Sequence, residues 1–261
     1  MIRISEVFAS IQGEGYRIGT PSVFCRTRGC VLQCKDCDTQ YAQSLEDGEL
    51  LEVAPLATRI LELAAENGCT DFILTGGEPF LQPAEDVSAL LSELATQLYI
   101  TVETSGWLYD SAYFTEWLAH IDLLTISPKL ESFSGSLPFS QLAYAANVHQ
   151  LCAIFHKECE VVLKFVVSSK DDFWHVDEWL KALDTINITA VILQPNSRNH
   201  WCTPPPSTSL SGGLRWHLTS LQQLIESAMK HESLKWHVER GIQFRFLPQL
   251  HRLLYGAQRK C

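Results

Sequence analysis

Apolar residues along this chain change period repeatedly, and each change marks a switch between strand and helix. Residues 3–11 and 22–28 read as short strands separated by the turn Gln12-Gly13-Glu14-Gly15. From about residue 55, Leu56, Ile60, Leu63 and Ala64 return at helical spacing, and Asn67-Gly68 supplies a stop. The run at 72–74 predicts a strand. A helix over 84–98 follows, with Val87, Leu90, Leu91, Leu94 and Leu98 on one face. Further strands are expected at 99–102, 122–126, 161–167, 190–193 and 242–247. Helices are expected near 111–119, 141–156, 171–184 (Phe173, Val176, Leu180 and Leu183 inward) and 213–231. The serine-rich stretch 130–140 reads as a loop, and the tail 248–261 as partly helical. Val161–Val167 is almost continuously apolar, as in a strand covered on both faces of a parallel sheet.

Strand–helix units with short links predict a parallel sheet with right-handed crossovers. About six core strands are too few for a closed eight-stranded barrel. The expected fold is therefore α/β, an incomplete, splayed (β/α)6-type barrel with a short N-terminal extension, forming a single domain over 1–261. The polar motifs TGGEP (75–79), ETSG (103–106), SPK (127–129) and QPNS (194–197) each follow a strand. That is the rim where α/β barrels collect their chemistry. Residues 199–213 contain Pro204-Pro205-Pro206 and several serines, and read as a surface excursion.

With 46% hydrophobic and 19% charged residues the chain is a globular type, not a disordered one. A net charge of −10 argues against general nucleic-acid binding, which needs a basic field, but leaves room for a small anion held by local arginines. No stretch has the length of a membrane span. The opening MIRISEVFASIQGEG lacks a basic segment followed by an apolar core, so no signal peptide is expected. Nine cysteines without an export signal then suit a reducing cytoplasm better than a disulfide framework.

Three of those cysteines, Cys30, Cys34 and Cys37, fall within the segment 29–41 as C-x3-C-x2-C. Thiolates this close on a turn-prone segment suit a soft metal or an iron–sulfur cluster. A structural zinc site normally brings four ligands in paired dyads, and no second CxxC or HxxxH follows. A [4Fe–4S] cluster on three cysteines leaves one iron open. Cys25 lies inside an apolar strand and reads as structural. Gly76-Gly77-Glu78-Pro79 lacks the G-K-[ST] of a phosphate loop. Its two glycines are expected to let a ligand approach the backbone. His156, His175 and His237 show no ligand spacing and read as ordinary polar or half-buried residues.

The cysteine spacing with its following aspartate, and the GGE turn, resemble the radical S-adenosylmethionine (AdoMet) superfamily. A finer resemblance is to the 7-carboxy-7-deazaguanine synthase family of the queuosine pathway. It is carried by IQGEG (11–15), FCRTRGC (24–30), CDTQY (37–41), TGGEP, ETSG, SPK, LQP (193–195) and LPQLHRLLYG (247–256). The resemblance implies that Cys30, Cys34 and Cys37 ligate the cluster. Asp36, Cys37, Asp38, Gly77, Ser127, Pro128, Lys129, Gln194, Pro195, Asn196 and Ser197 would lie at AdoMet. Ile11, Gln12, Gly13, Arg26 and Thr75 would line the substrate pocket, and Thr39 would ligate Mg²⁺. Arg26 offers a planar fork suited to a carboxylate. Glu14 and Glu103 are expected to receive N–H donors of a heterocycle.

The implied substrate is 6-carboxy-5,6,7,8-tetrahydropterin. In the implied reaction an electron from the cluster splits the sulfonium, the 5′-deoxyadenosyl radical takes a hydrogen beside the carboxylate, and ring contraction with loss of ammonia follows. Cofactors carry this chemistry, so no protein nucleophile is expected. The resemblance also implies a homodimer and an electron donor such as flavodoxin. Two rival readings are a glycyl-radical-enzyme activase, which would not need IQGEG or PQLH, and a non-catalytic metal-binding interaction protein with a fourth protein ligand.

Overall fold

The computed structural model describes residues 1–46, 48–108, 116–137, 140–183, 188–197 and 210–255. Among the described residues nine strands form one sheet: β1 (Ile2–Ile11), β2 (Pro21–Thr27), β3 (Glu49–Leu51), β4 (Asp71–Gly76), β5 (Tyr99–Thr104), β6 (Leu123–Ile126), β7 (Glu160–Val167), β8 (Ala190–Pro195) and β9 (Phe244–Phe246). Their order is β3-β1-β2-β4-β5-β6-β7-β8-β9. From β2 to β9 all neighbours are parallel, while β1 runs antiparallel to both β2 and β3 as the N-terminal extension. This is an incomplete, splayed α/β barrel, as the strand–helix units predict.

The helices are α1 (Val53–Asn67), α2 (Ala84–Leu94), α3 (Glu131–Ser134), α4 (Gln141–Phe155), α5 (Asp172–Ala182), α6 (Leu210–Ala228), α7 (Glu232–Glu239) and α8 (Leu250–Tyr255). Leu56, Ile60 and Ala64 of α1 and Val87, Leu90, Leu91 and Leu94 of α2 bury the stripes their spacing predicts. They share one core with Val23, Cys25, Phe72, Leu74, Ile100 and Val102 from alternate strand positions. Each such leucine, fully buried, contributes roughly 1.5–3 kcal/mol.

The other face of the sheet is the inside of the splayed barrel. Toward the amino ends of its strands it is apolar, with Phe8, Phe24 and Ile73 in one cluster and Leu123, Val162, Ala190 and Ile192 in another. The turn after β1 lies along this face. Tyr16 packs against the second cluster, and Arg17 pairs with Asp71 while its guanidinium sits 3.8 Å over the Tyr99 ring. Glu6, Arg26, Thr75, Glu103 and Lys164 lie beyond the apolar rows and line a cavity.

The structure departs from the sequence reading at several boundaries. Helix α2 stops at Leu94, yet Leu98 stays buried because its N–H bonds Leu94 from a turn. The stretch 130–140 is not wholly loop, since Glu131–Ser134 forms one helical turn. Residues 111–115 of the expected helix 111–119 lie outside the described residues, and Leu118–His120 is a 3-10 turn. Residues 199–209 of the excursion also lie outside the described residues, but its end is helical because α6 begins at Leu210. Strand β3 and helix α7 were not legible. The first is three residues long, and the second buries only Leu234 and His237. Among the described residues no helix is long and apolar enough to cross a membrane.

Candidate active site

One cavity of about 230 Å³ opens at the carboxyl ends of the parallel strands. Cys30, Cys34, Cys37, Asp38 and Thr39 line it from the loop after β2, and Ile11, Gln12, Gly13 and Glu14 from the turn after β1. Arg26, Thr75, Gly77, Glu103, Ser127 and Lys129 complete the expected residues found there. Asp36, Pro128, Gln194, Pro195, Asn196 and Ser197 do not line it. Gln194 and Asn196 stand behind the wall: Gln194 donates to Glu14 (2.7 Å), and Asn196 donates to Asp36 (2.8 Å) and Ser168 (3.0 Å). The QPNS turn is thereby tied to the cysteine loop.

The cysteine loop is held by its backbone. Cys30 N–H donates to Gln43 O (2.9 Å), Lys35 N–H to Ser134 O (3.2 Å) and Asp36 N–H to Phe133 O (3.3 Å). Helix α3 thus braces this loop, which the reading of 130–140 as a loop did not anticipate. Burial pushes the Cys30 thiol up to about 12 and also raises Cys34. Thiols in such surroundings ionise readily only when a soft metal takes them. Among the described residues no three His, Cys, Asp or Glu side chains are gathered as a single ion would require. The Thr39 hydroxyl lies 3.6 Å from Cys37 Sγ.

The rim motifs are bonded to one another. The buried Glu78 carboxylate accepts from Thr104 Oγ1 (2.6 Å), from Ser105 N–H (2.9 Å) and hydroxyl, and from Phe80 N–H (3.3 Å), fastening TGGEP to ETSG. Tyr144 of α4 donates to Ser105 O (2.7 Å) and accepts from Lys129 N–H (3.1 Å), fastening ETSG to SPK. The glycines of TGGEP also have a packing role that their composition does not announce. A Cβ on Gly77 would lie 2.0 Å from Gly29 O, and one on Gly76, whose φ is +131°, would lie 2.3 Å from Thr27 N. Backbone packing between β2, β4 and the cysteine loop is by itself enough to exclude side chains there.

Charge in the cavity comes in pairs. Glu103 accepts from Gln12 Nε2 (3.1 Å) and Thr75 Oγ1 (2.9 Å). Glu14 accepts from Lys164 Nζ (2.7 Å), Gln194 and, more distantly, Gln249 (3.3 Å). Burial opposes the Glu14 charge, but Lys164 and then His251 outweigh it and hold the carboxyl far below its usual range. Lys164 is raised in turn, since Glu14 and Glu103 more than offset its desolvation. Lys164 was missed in the sequence because it sits inside an otherwise apolar strand. A lone cation in a strand buried on both faces was the available signal.

His251, within LPQLHRLLYG, also lines the cavity with Arg252, because Leu250 N–H donates to Gly13 O (2.6 Å). A Cβ on Gly13 would lie 2.2 Å from His251 Nδ1, so IQGEG and PQLH interlock. Cys25 is fully buried among apolar residues and its thiol is pushed up to about 12, as expected of a structural cysteine. His237 is not half-buried but wholly so, with Nε2 2.9 Å from Asp177 Oδ1 far from this cavity.

Residues 11–132 match the family described as a 4Fe-4S single cluster domain. The 7-carboxy-7-deazaguanine synthase of Rhodopirellula baltica is 34% identical over 208 residues, covering 74% of this chain and 72% of the relative. That of Halobacterium salinarum is 33% identical over 213 residues, covering 76% and 78%. The crystal structure of QueE from Escherichia coli superposes with a TM-score of 0.54 at 21% identity, over 93% of this chain and 92% of the other. Identity at this level across most of both chains, on a cavity that draws the IQGEG, cysteine, TGGEP and PQLH segments together, has one reading: the chain belongs to the 7-carboxy-7-deazaguanine synthase family of radical AdoMet enzymes.

Proposed function

We propose that this protein converts 6-carboxy-5,6,7,8-tetrahydropterin to 7-carboxy-7-deazaguanine with loss of ammonia, a carbon–nitrogen lyase reaction of queuosine biosynthesis. The observation that carries the reading is that three thiols and a tier of paired charges face the same cavity. The relatives' shared activity supports it over an activase, which would have no use for the interlocked IQGEG and PQLH segments.

The donor set fits a [4Fe–4S] cluster. Cys30, Cys34 and Cys37 would hold it, with Lys129 beside them, bonded to Ser127 (2.9 Å). AdoMet would take the adjoining wall of Asp38, Gly77, Ser127 and Lys129, with Asp36, Pro128 and the Gln194–Ser197 turn supporting it from behind. When bound, cluster and AdoMet supply a one-electron cleavage whose product takes a hydrogen atom from the substrate. The protein binds, orients and excludes water. Arg26 meets the substrate carboxylate, and Gln12, Glu14 and Glu103 face the heterocycle's N–H groups. Lys164 keeps the Glu14 carboxylate ionised. Thr39, on the same wall as Asp38, is our candidate ligand for Mg²⁺, a hard ion that takes oxygen donors and readily shares a substrate carboxylate.

The same resemblance supports a homodimer, an electron carrier such as flavodoxin, and a cytoplasmic location. Cys25, Cys30, Cys34, Cys37, Cys69, Cys152 and Cys159 are all free thiols, which suits a reducing compartment. The test is anaerobic reconstitution followed by assay for 7-carboxy-7-deazaguanine with and without Mg²⁺. Product is expected from the wild type, with loss of both iron and 5′-deoxyadenosine in Cys34→Ala. A Cys34→Ala protein with full cluster and activity overturns the ligand assignment, and wild-type cleavage of AdoMet without pterin conversion overturns the substrate.

A further inference from the structure

Glu6 is a cavity-lining carboxylate that no motif of the sequence reading includes, and its side chain is only 2% exposed. Strand alternation does not put it there. Ile2 and Ile4 face the helix-covered core, and unbroken period-two alternation would send residue 6 the same way. The register of β1 against β2 slips between these positions: Ile4 lies opposite Thr27 but Glu6 opposite Arg26. One extra residue on β1, a β-bulge, reverses the alternation, so Val7 joins the core while Glu6 and Phe8 turn to the inner face. Directly opposed residues of an antiparallel pair share a face, so Glu6 and Arg26 come side by side.

The contacts are specific. Glu6 Oε1 accepts from Arg26 Nε (2.8 Å) and from the Tyr41 hydroxyl (2.7 Å). Among the described residues Nε alone of the Arg26 guanidinium has a protein hydrogen-bond partner. An arginine gripped at Nε keeps its two terminal nitrogens for a second, bidentate acceptor. Tyr41 stands two residues beyond Thr39 in the cysteine loop, so one carboxylate oxygen anchors both the guanidinium and that loop. Burial opposes the Arg26 charge, and Tyr41, Glu6 and Asp38 more than offset it.

We propose that Glu6 is a positioning residue for substrate recognition, turning the free end of Arg26 toward the substrate's carboxylate and, through Tyr41, holding it in register with the cysteine loop. This rests on the pterin-carboxylate reading of the cavity.

The experiment measures dissociation constants of the reconstituted full chain for 6-carboxytetrahydropterin and for the tetrahydropterin without the carboxylate. Iron content and AdoMet cleavage are recorded for each variant. In Glu6→Gln the carboxylated ligand is expected to weaken by about 10- to 100-fold, the range of a buried charge-assisted hydrogen bond, with the carboxyl-free ligand unchanged. Tyr41→Phe, which removes one donor and no charge, should shift the same ratio in the same direction by a smaller factor. Glu6→Gln added to Arg26→Gln should cause no further loss, and Glu6→Asp should restore part of the discrimination. If Glu6→Gln and Tyr41→Phe weaken both ligands equally, or neither, Glu6 is a structural ion-pair partner and the proposal falls while the pocket reading stands. If the wild type itself fails to prefer the carboxylated pterin, the pocket reading and the proposal fall together.

Discussion

Replacing Gly77 by alanine separates packing from ligand contact at the TGGEP turn. The added Cβ would sit 2.0 Å from Gly29 O, 2.6 Å from Gly29 C and 2.9 Å from Ala42 O, all backbone atoms that cannot swing aside. Real Cβ contacts stay beyond 3.0 Å, so turn and cysteine loop must part by about 1 Å. The hydrogen bonds Gly77 N–H to Thr27 O (3.1 Å) and Glu78 N–H to Gly29 O (2.7 Å) run across the same seam. Losing both costs about 2 kcal/mol net, and the overpacking adds about 1–3 kcal/mol, so a loss of about 3–5 kcal/mol is expected. Urea unfolding of the cluster-free chain reads this directly, without any ligand. Iron uptake should fall too, since the displaced loop carries Cys30. A Gly77→Ala protein with the wild-type midpoint and full iron, defective only in AdoMet binding, would refute the packing argument and leave ligand contact as the reason for the glycine.

Two further substitutions test the paired charges and the interlock. Lys164→Met removes one partner of a buried ion pair and should cost about 3–5 kcal/mol near neutral pH. Its pH dependence is the sharper check. In the wild type the Glu14 pKa is depressed below 4.5, so its contribution is complete above that value and is lost as pH falls. Without Lys164, burial dominates and raises the Glu14 pKa, so the contribution is present at low pH and lost as pH rises. The stability gap between the two proteins should therefore widen from about pH 4 to pH 7 in urea titrations, and a constant gap would sink the assignment. Gly13→Ala meets Nδ1, Cγ and Cβ of His251 and must push aside the tail that carries them. Because α8 has no fully buried residue, the unfolding midpoint should shift by less than about 1 kcal/mol while pterin affinity drops and AdoMet cleavage persists. A large loss of stability there would show that the interlock is structural.

The cysteine triad, the four rim motifs and the strand–helix alternation were legible in the sequence because each is a local pattern. Three thiols within eight residues need no fold to be recognised, and the leucines of α2 announce their face by spacing alone. Boundaries set by partners were not legible: β3 exists only because Arg3 and Leu50 pair, and α3 braces a loop it does not adjoin in sequence. The chemistry of the cavity divides the same way. Arg26 and Thr75 carry their residue type openly, but which face they occupy follows from register. Lys164 reads as an anomaly in an apolar strand until Glu14, 150 positions away, lies 2.7 Å from it. Glu6 is turned to the cavity by one extra residue in β1, and a one-residue slip is invisible to any period-two count. Residue types and short-range spacing are properties of the chain, whereas the pairing of distant charges and the facing of strand residues arise only when the sheet closes its register.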